Sequence, residues 1–245
     1  CIRDRRTAIE LLNANPNIFS ESYISPKNGT RLTCGPDGKI QSKVTGNCLR
    51  HFGFTEDRDG VRKALLAHKA FAVYDAGGYS DLMTGEDAVK LWESHNTDVG
   101  GSFNINPPIP RILLAQVKRP DGAFVVDAIS TDGGCIPRNV ILSQGLSLVK
   151  LDVLTLAEFA QKTSLNPARM LRLTAKGHLS VGADADITIY DYATQTPKMS
   201  FVEGRKVLFK GEVLGKNANI ICTERGQKAI EARGLKAIVV DPGLP

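Results

Sequence analysis

The sequence predicts an α/β protein whose strands are parallel and buried on both faces, followed by a small all-β unit. Three observations predict it. From about residue 50 to 172, short apolar runs alternate with helical stretches. Those runs, such as "AFAVYDAGG" and "AFVVDAIS", are nearly continuous in apolar residues rather than alternating, the pattern of a strand covered on both sides. After Gly177 the helices stop, and "DITIYD", "MSFVEG" and "KVLFKGEVLG" follow one another with glycine turns. A barrel and a doubly wound sheet both fit the first part.

The elements read in order as follows. A helix spans Arg5 to Ala14, with Ala8, Ile9, Leu11 and Leu12 at helical spacing, and "NANPN" stops it because Pro16 cannot continue it. "IFSESYIS" reads as a strand, and "TRLTCGPDGKIQSKVT" as two short strands around a Gly-Pro-Asp-Gly turn. Thr55 is expected to cap "EDRDGVRKALLAHK", which has acids first and bases last. Thr84 and Asp87 suggest a capping box for "GEDAVKLWESHN", and Thr155 with Glu158 one for "LAEFAQKTS". "GGSFNIN" reads as a strand stopped by Pro107-Pro108, and "IPRILLAQVKRPDG" as helical at its centre. Asn166-Pro167 opens a further helix. "TERGQKAIEARG" is the last one, ended by Gly234.

Bulk composition narrows the function classes. The 245 residues are 42% hydrophobic and 23% charged, ordinary values that allow one large domain or a domain and a half. No apolar run approaches the ~18–20 residues of a membrane helix. The net charge of +5 is spread out, with Arg3, Arg5 and Arg6 the only tight basic cluster. That pattern argues against a nucleic-acid partner. The five cysteines are widely spaced and form no CxxC pair, which speaks against a disulfide framework or structural zinc and suits the cytoplasm. The chain begins with Cys1 rather than Met. An N-terminal Cys carries a thiol and an amine that can act as nucleophile and base, so cleavage before Cys1 and simple truncation are both open readings.

A polar group recurs at strand ends: Asp75 before Gly77-Gly78, Asn106 before Pro107-Pro108, Asp132 before Gly133-Gly134. In a parallel barrel those ends form one rim, and that rim holds the active site. Glycines there let a ligand and the backbone come close.

"NINPPIPRI", "DGAFVVDAISTD", "LTLAEFAQKTSLNPARMLRL" and "KGHLSVGADADITIYD", in that order, resemble the second half of the amidohydrolase superfamily, nearest the dihydroorotases and hydantoinases. "VEGRKVLFKGEVLG" is similar to the strand pair closing the β-sandwich of those enzymes. The resemblance implies the C-terminal part of a TIM-like (β/α)8 barrel in residues 1–176, β-sandwich strands in 177–222, and a C-terminal helix and tail in 223–245. It implies that Asp132 ends the eighth strand, binds a divalent metal (zinc) and takes a proton from the attacking water. Gly133 and Gly134 then leave room for substrate, and Asn106 lies near it.

The superfamily's usual HxH pair is absent from the sequence. Of the four histidines, His51 is the best ligand candidate, because it is expected in a strand-to-helix loop before Thr55. His68 and His95 read as helix C-termini favoured by the dipole, and His178 as part of a structural turn. Where a sixth-strand histidine is expected, "AFAVYDAGG" offers Asp75. Cys135 stands three residues past Asp132 and is a second thiol candidate beside Cys1.

The leading expectation is a hydrolase that opens a C–N bond of a cyclic amide, imide or ureide with metal-activated water. It acts as a homo-oligomer, together with an N-terminal half or partner subunit. The alternatives are a metal-free amidase using Cys1 or Cys135, and a non-catalytic barrel subunit.

Overall fold

The computed structural model describes residues 2–77, 80–131, 139–215, 219–241 and 243, with side chains from residue 6 onward. Helix α1 (Ile2–Ala14) stops before Pro16, and the Asn15 side chain donates to the Leu11 carbonyl at 2.8 Å. Strands β1 (Glu21–Tyr23) and β2 (Thr30–Arg31) lead to α2 (Lys43–His51), whose first turn is capped by the Ser42 hydroxyl. Helix α3 (Arg58–Leu66) is capped by Asp57, which accepts the Gly60 N–H. There follow β3 (Ala70–Asp75), β4 (Ser80–Met83), α4 (Glu86–Ser94), β5 (Gly100–Phe103), α5 (Pro108–Gln116) and β6 (Ala128–Ser130). Helices α6 (Ile141–Lys150) and α7 (Leu156–Ala160) come next, and a π-helical turn (Gln161–Leu165) joins α7 to α8 (Asn166–Met170). The chain ends with β7 (Ile187–Asp191), β8 (Thr196–Val202), β9 (Arg205–Phe209), β10 (Glu212–Val213), β11 (Asn219–Cys222), α9 (Glu224–Glu231) and β12 (Lys236–Val239). Strands β1 and β6 pair with each other.

Contacts divide the chain into two units. The first comprises Cys1–Ser22, Ile112–Ile129 and Ile141–Pro245; the second comprises Tyr23–Arg111 and Ser130–Val140.

The second unit overturns the expectation of parallel strands before residue 104. Its sheet runs β2-β5-β3-β4, and every pairing in it is antiparallel. The physical reason is loop length. Asp75 pairs with Ser80, and so short a connection cannot carry the helical crossover that a parallel neighbour requires. One face of the sheet meets α2, α3 and α4 through a core in which Leu32, Leu49, Val61, Leu65, Trp92 and Phe103 are all fully buried. Trp92 also donates its indole N–H to the Leu32 carbonyl at 2.9 Å, so the largest core side chain leaves no polar atom unpaired. Gly101 is required by this packing, because a Cβ there falls 2.4 Å from Leu32.

The first unit holds the other sheet, antiparallel in the order β10-β9-β8-β7. This matches the all-β reading of the residues after Gly177. The tail adds a βαβ unit that the sequence did not suggest: β12 runs parallel to β11, with α9 connecting them. Upstream, Phe159 packs into a notch at Gly145, where a Cβ falls 2.3 Å from its ring. That contact sets α7 against α6. The Thr155–Glu158 capping box is present in full, with both reciprocal bonds made.

Candidate active site

The stretch Val125–Ile129 that leads towards Asp132 is buried, with Val125, Val126, Ala128 and Ile129 all 5% exposed or less. Only Ala128 and Ile129 of it belong to β6, so tethers rather than a long ladder fix the rest. Asn166 donates to the Asp127 carbonyl at 2.7 Å. The Asp127 carboxylate accepts the Ser20 N–H at 2.9 Å, and the Asp127 and Ala128 N–H groups both donate to the Ser20 carbonyl. Lys162 Nζ donates to the Val126 carbonyl at 2.5 Å and stands 4.0 Å from the centre of the Phe124 ring. This lysine is fully buried. Burial pushes its ammonium down to about 8, against the opposing pull of Asp127. Nothing in the sequence pattern singled it out as functional. The available signal was its position three residues after Phe159, on the buried stripe of the helix.

In the second unit the Ile24 N–H donates to the Ser130 carbonyl at 2.9 Å, two residues before Asp132. The adjoining loop is clamped by Asn106, whose amide N–H groups donate to the Ser25 and Lys27 carbonyls at 3.1 and 3.0 Å. Both its donors are thus committed to the fold, and only its amide oxygen remains for a ligand. Arg111 reaches the Ile24 carbonyl at 2.6 Å and the Pro107 carbonyl at 3.2 Å. Lys27 lies 3.7 Å over the Phe71 ring and donates to Asn104 at 2.9 Å. Lys27 and Arg111 are held below their usual ranges by burial. Neither was expected from the sequence.

The remaining expected residues divide clearly. Asp132, Gly133, Gly134, Cys135 and Cys1 lie outside the described residues. Asp75 is not on a barrel rim. It closes an antiparallel hairpin, where its carboxylate accepts the Gly77 N–H at 2.9 Å. The same correction applies to the parallel strand assumed before Asn106, because β5 runs antiparallel to β3. His51 is not in a strand-to-helix loop. It ends α2, exposed, with its ring edge-on to Phe52. His95 caps the C-terminus of α4, and His68 follows α3, both as expected.

Among the described residues no group of three His, Cys, Asp or Glu side chains is placed to hold a metal ion. The described donor set therefore does not by itself fit the metal centre that the sequence led us to expect. Burial raises the Cys34 and Cys48 thiols, which keeps both protonated and poor as nucleophiles at neutral pH. Among the described residues no helix is long and apolar enough to cross a membrane.

Residues 146–214, from within α6 to just past β10, match the Amidohydrolase family. Over 121 residues the chain is 30% identical to a component of the formyltransferase/hydrolase complex Fhc of Methylorubrum extorquens, covering 47% of this chain and 20% of that protein. It therefore spans about a fifth of the length of the curated relative it matches. Two solved structures of D-aminoacylase superpose on 86% of this chain and 44% of theirs, with TM-scores of 0.52 and 0.51 at 13% and 14% identity. At such low identity this likeness speaks to the fold. The family match thus rests on residues 146–214, and the structural likeness is one of fold.

Proposed function

We propose that the chain forms part of a hydrolase that cleaves a carbon–nitrogen bond of an amide-type substrate, with Asp132 as the proton-transferring carboxylate. The observation that carries the proposal is the match of residues 146–214 to the Amidohydrolase family, which lies downstream of Asp132 in the sequence. In this reading Asp132 accepts a proton from the attacking water and delivers one to the leaving nitrogen. The tethers from Asn166, Lys162 and Ile24 hold the stretch Val126–Ser130 that precedes it in sequence, which is the rigidity such a role needs. Asn106 keeps the neighbouring loop in place and offers one amide oxygen to substrate. A divalent metal, zinc in the expectation above, lowers the pKa of a bound water when present. Its ligands would have to include groups beyond the described residues, Asp132 among them.

The substrate we put first is a cyclic amide, imide or ureide. A second reading, an acyclic N-acyl amide, is favoured by the 30% identical relative, whose name couples formyl transfer to hydrolysis. That relative is one subunit of a complex, which supports the proposal that this chain works with a partner polypeptide.

The test is hydrolysis by the partner-complemented protein. Asp132→Asn should abolish turnover and leave the folded-state spectra unchanged, and an Asp132→Asn protein of full activity defeats the assignment. Assays with a hydantoin and with an N-formyl amino acid decide between the two substrates. Inactivation by thiol alkylation, with indifference to chelators, would favour the alternative cysteine mechanism.

A further inference from the structure

The first unit contains an open cleft of about 790 Å³, built from the stretch between Leu165 and Ser180. Its size falls within the usual range for small-molecule sites, roughly 300–1,000 Å³. Among the described residues no carboxylate lines it. The cations that do are not equivalent. Lys176 is already bridged to Asp184 at 2.9 Å and Asp186 at 2.6 Å. His178 has both ring nitrogens engaged: Nδ1 accepts the Ser180 N–H at 3.4 Å, so Nε2 carries the proton it gives to the Thr174 carbonyl at 2.8 Å. With both nitrogens so engaged, His178 is a wall of the cleft.

Arg169 and Arg172 are different. Both are exposed, and among the described residues neither guanidinium makes a hydrogen bond or an ion pair. Gly243 lies against the Arg172 guanidinium without bonding to it. Arginine side chains at the end of a helix often serve its C-terminal carbonyls, but neither of these guanidiniums does. Arg169 stands in the last turn of α8 and Arg172 just past its C-cap, with φ +55, and both line the cleft.

We propose that this cleft binds a phosphate monoester, with Arg169 and Arg172 clamping the phosphate and Leu165 and Leu173 receiving the apolar part of the ligand. Two free guanidiniums match the charge of a phosphate, about −1.5 to −2 at neutral pH, better than that of a single carboxylate. Their planar forks suit bidentate contact with phosphate oxygens. The hydroxyls of Thr174 and Ser180 add neutral donors on the same wall.

The experiment is a titration of the 245-residue chain with inorganic phosphate, followed by NMR at the arginine side chains and at His178. Acetate is the comparison anion. Saturable phosphate shifts are expected, with acetate binding at least about tenfold weaker. Arg169→Gln and Arg172→Gln should each weaken phosphate about tenfold or more, in keeping with the loss of a charge-assisted hydrogen bond. Arg→Lys at either position should recover part of the affinity. Lys198→Gln, on β8 and outside the cleft, should change nothing. Absence of saturable shifts, equal binding of acetate, or unchanged phosphate affinity in the Arg169→Gln/Arg172→Gln double variant would each overturn the proposal.

Discussion

Lys162 is the residue whose environment is most at odds with its chemistry. Its ammonium is fully buried and has one carbonyl and an aromatic face for company. Its folded-state pKa of about 8 lies below the ordinary value of about 10.4 that holds in the unfolded chain. Between those two values the unfolded chain binds the proton and the folded chain does not, so stability rises with pH across that window. Below about pH 8 both states are protonated and the full penalty is present, on the order of 3 kcal/mol from the size of the shift. Lys162→Met keeps most of the volume and removes the charge. Urea midpoints measured from about pH 7.5 to 10.5 should climb for the native chain, and Lys162→Met should remove about 3 kcal/mol of that climb. An unaltered slope would mean that Lys162 is solvated after all. Other residue-scale expectations met a similar limit. Thr84 was expected to cap α4, yet its hydroxyl donates to the Leu65 and Ala70 carbonyls at 3.0 and 2.8 Å, and Gly85 occupies the cap position. Thr55 donates to Asp57, which is the true cap of α3. A short polar side chain has several backbone groups within reach, and tertiary neighbours decide among them.

At the scale of elements, helices were more legible than strand pairings. α1, α5, α8 and α9 lie where periodicity and caps put them, because a helix satisfies its backbone locally. α2 was missed, since "SKVTGNCLRH" is short and carries a glycine and β-branched residues. Strand β4 was missed as well. "SDLM" has four residues, two of them polar, and its pairing with β3 depends on a partner that no local pattern names. Without β4, each strand between about residues 50 and 172 appeared to be followed by a helix, and a parallel sheet or barrel was the natural inference. The candidate site suffers from the same limit. Asp132 was expected as a carboxylate at a strand end and lies outside the described residues, and the tethers of the stretch Val126–Ser130 come from Ser20, Ile24 and Lys162, which are far away in sequence. The one element with a complete local signature is α7, through its capping box. Thr155→Ala removes the acceptor of the Glu158 N–H and should cost about 1 kcal/mol, read as a lower urea midpoint with an unchanged m-value. The substitution should leave Trp92 fluorescence in the folded state untouched, since Trp92 belongs to the other unit.

For the whole molecule, the consequence is that the two units have separate cores. The second unit's hydrophobic cluster draws only on residues between Leu32 and Ile105. A segment of this length is enough for a folding domain of modest stability. Its chain enters at Tyr23 and leaves at Arg111, with Ser130–Val140 assigned to it as well. Excision of residues 23–111 cuts the Ile24–Ser130 bond but leaves the antiparallel sheet and its three helices whole. We therefore expect the polypeptide 23–111 to fold alone. The chain has a single tryptophan, and it is Trp92 at the centre of this core. Its fluorescence consequently reports on this unit and on nothing else. In urea, the Trp92 transition of the isolated segment should be cooperative and should fall close to that of the 245-residue chain. Gly60→Ala supplies the control, because a Cβ there sits 1.8 Å from the Thr55 carbonyl oxygen. The overpacking should lower the Trp92 midpoint in both polypeptides by a similar amount, corresponding to about 3 kcal/mol. Solvent-exposed tryptophan emission from the isolated segment in water would show instead that this core depends on the rest of the chain.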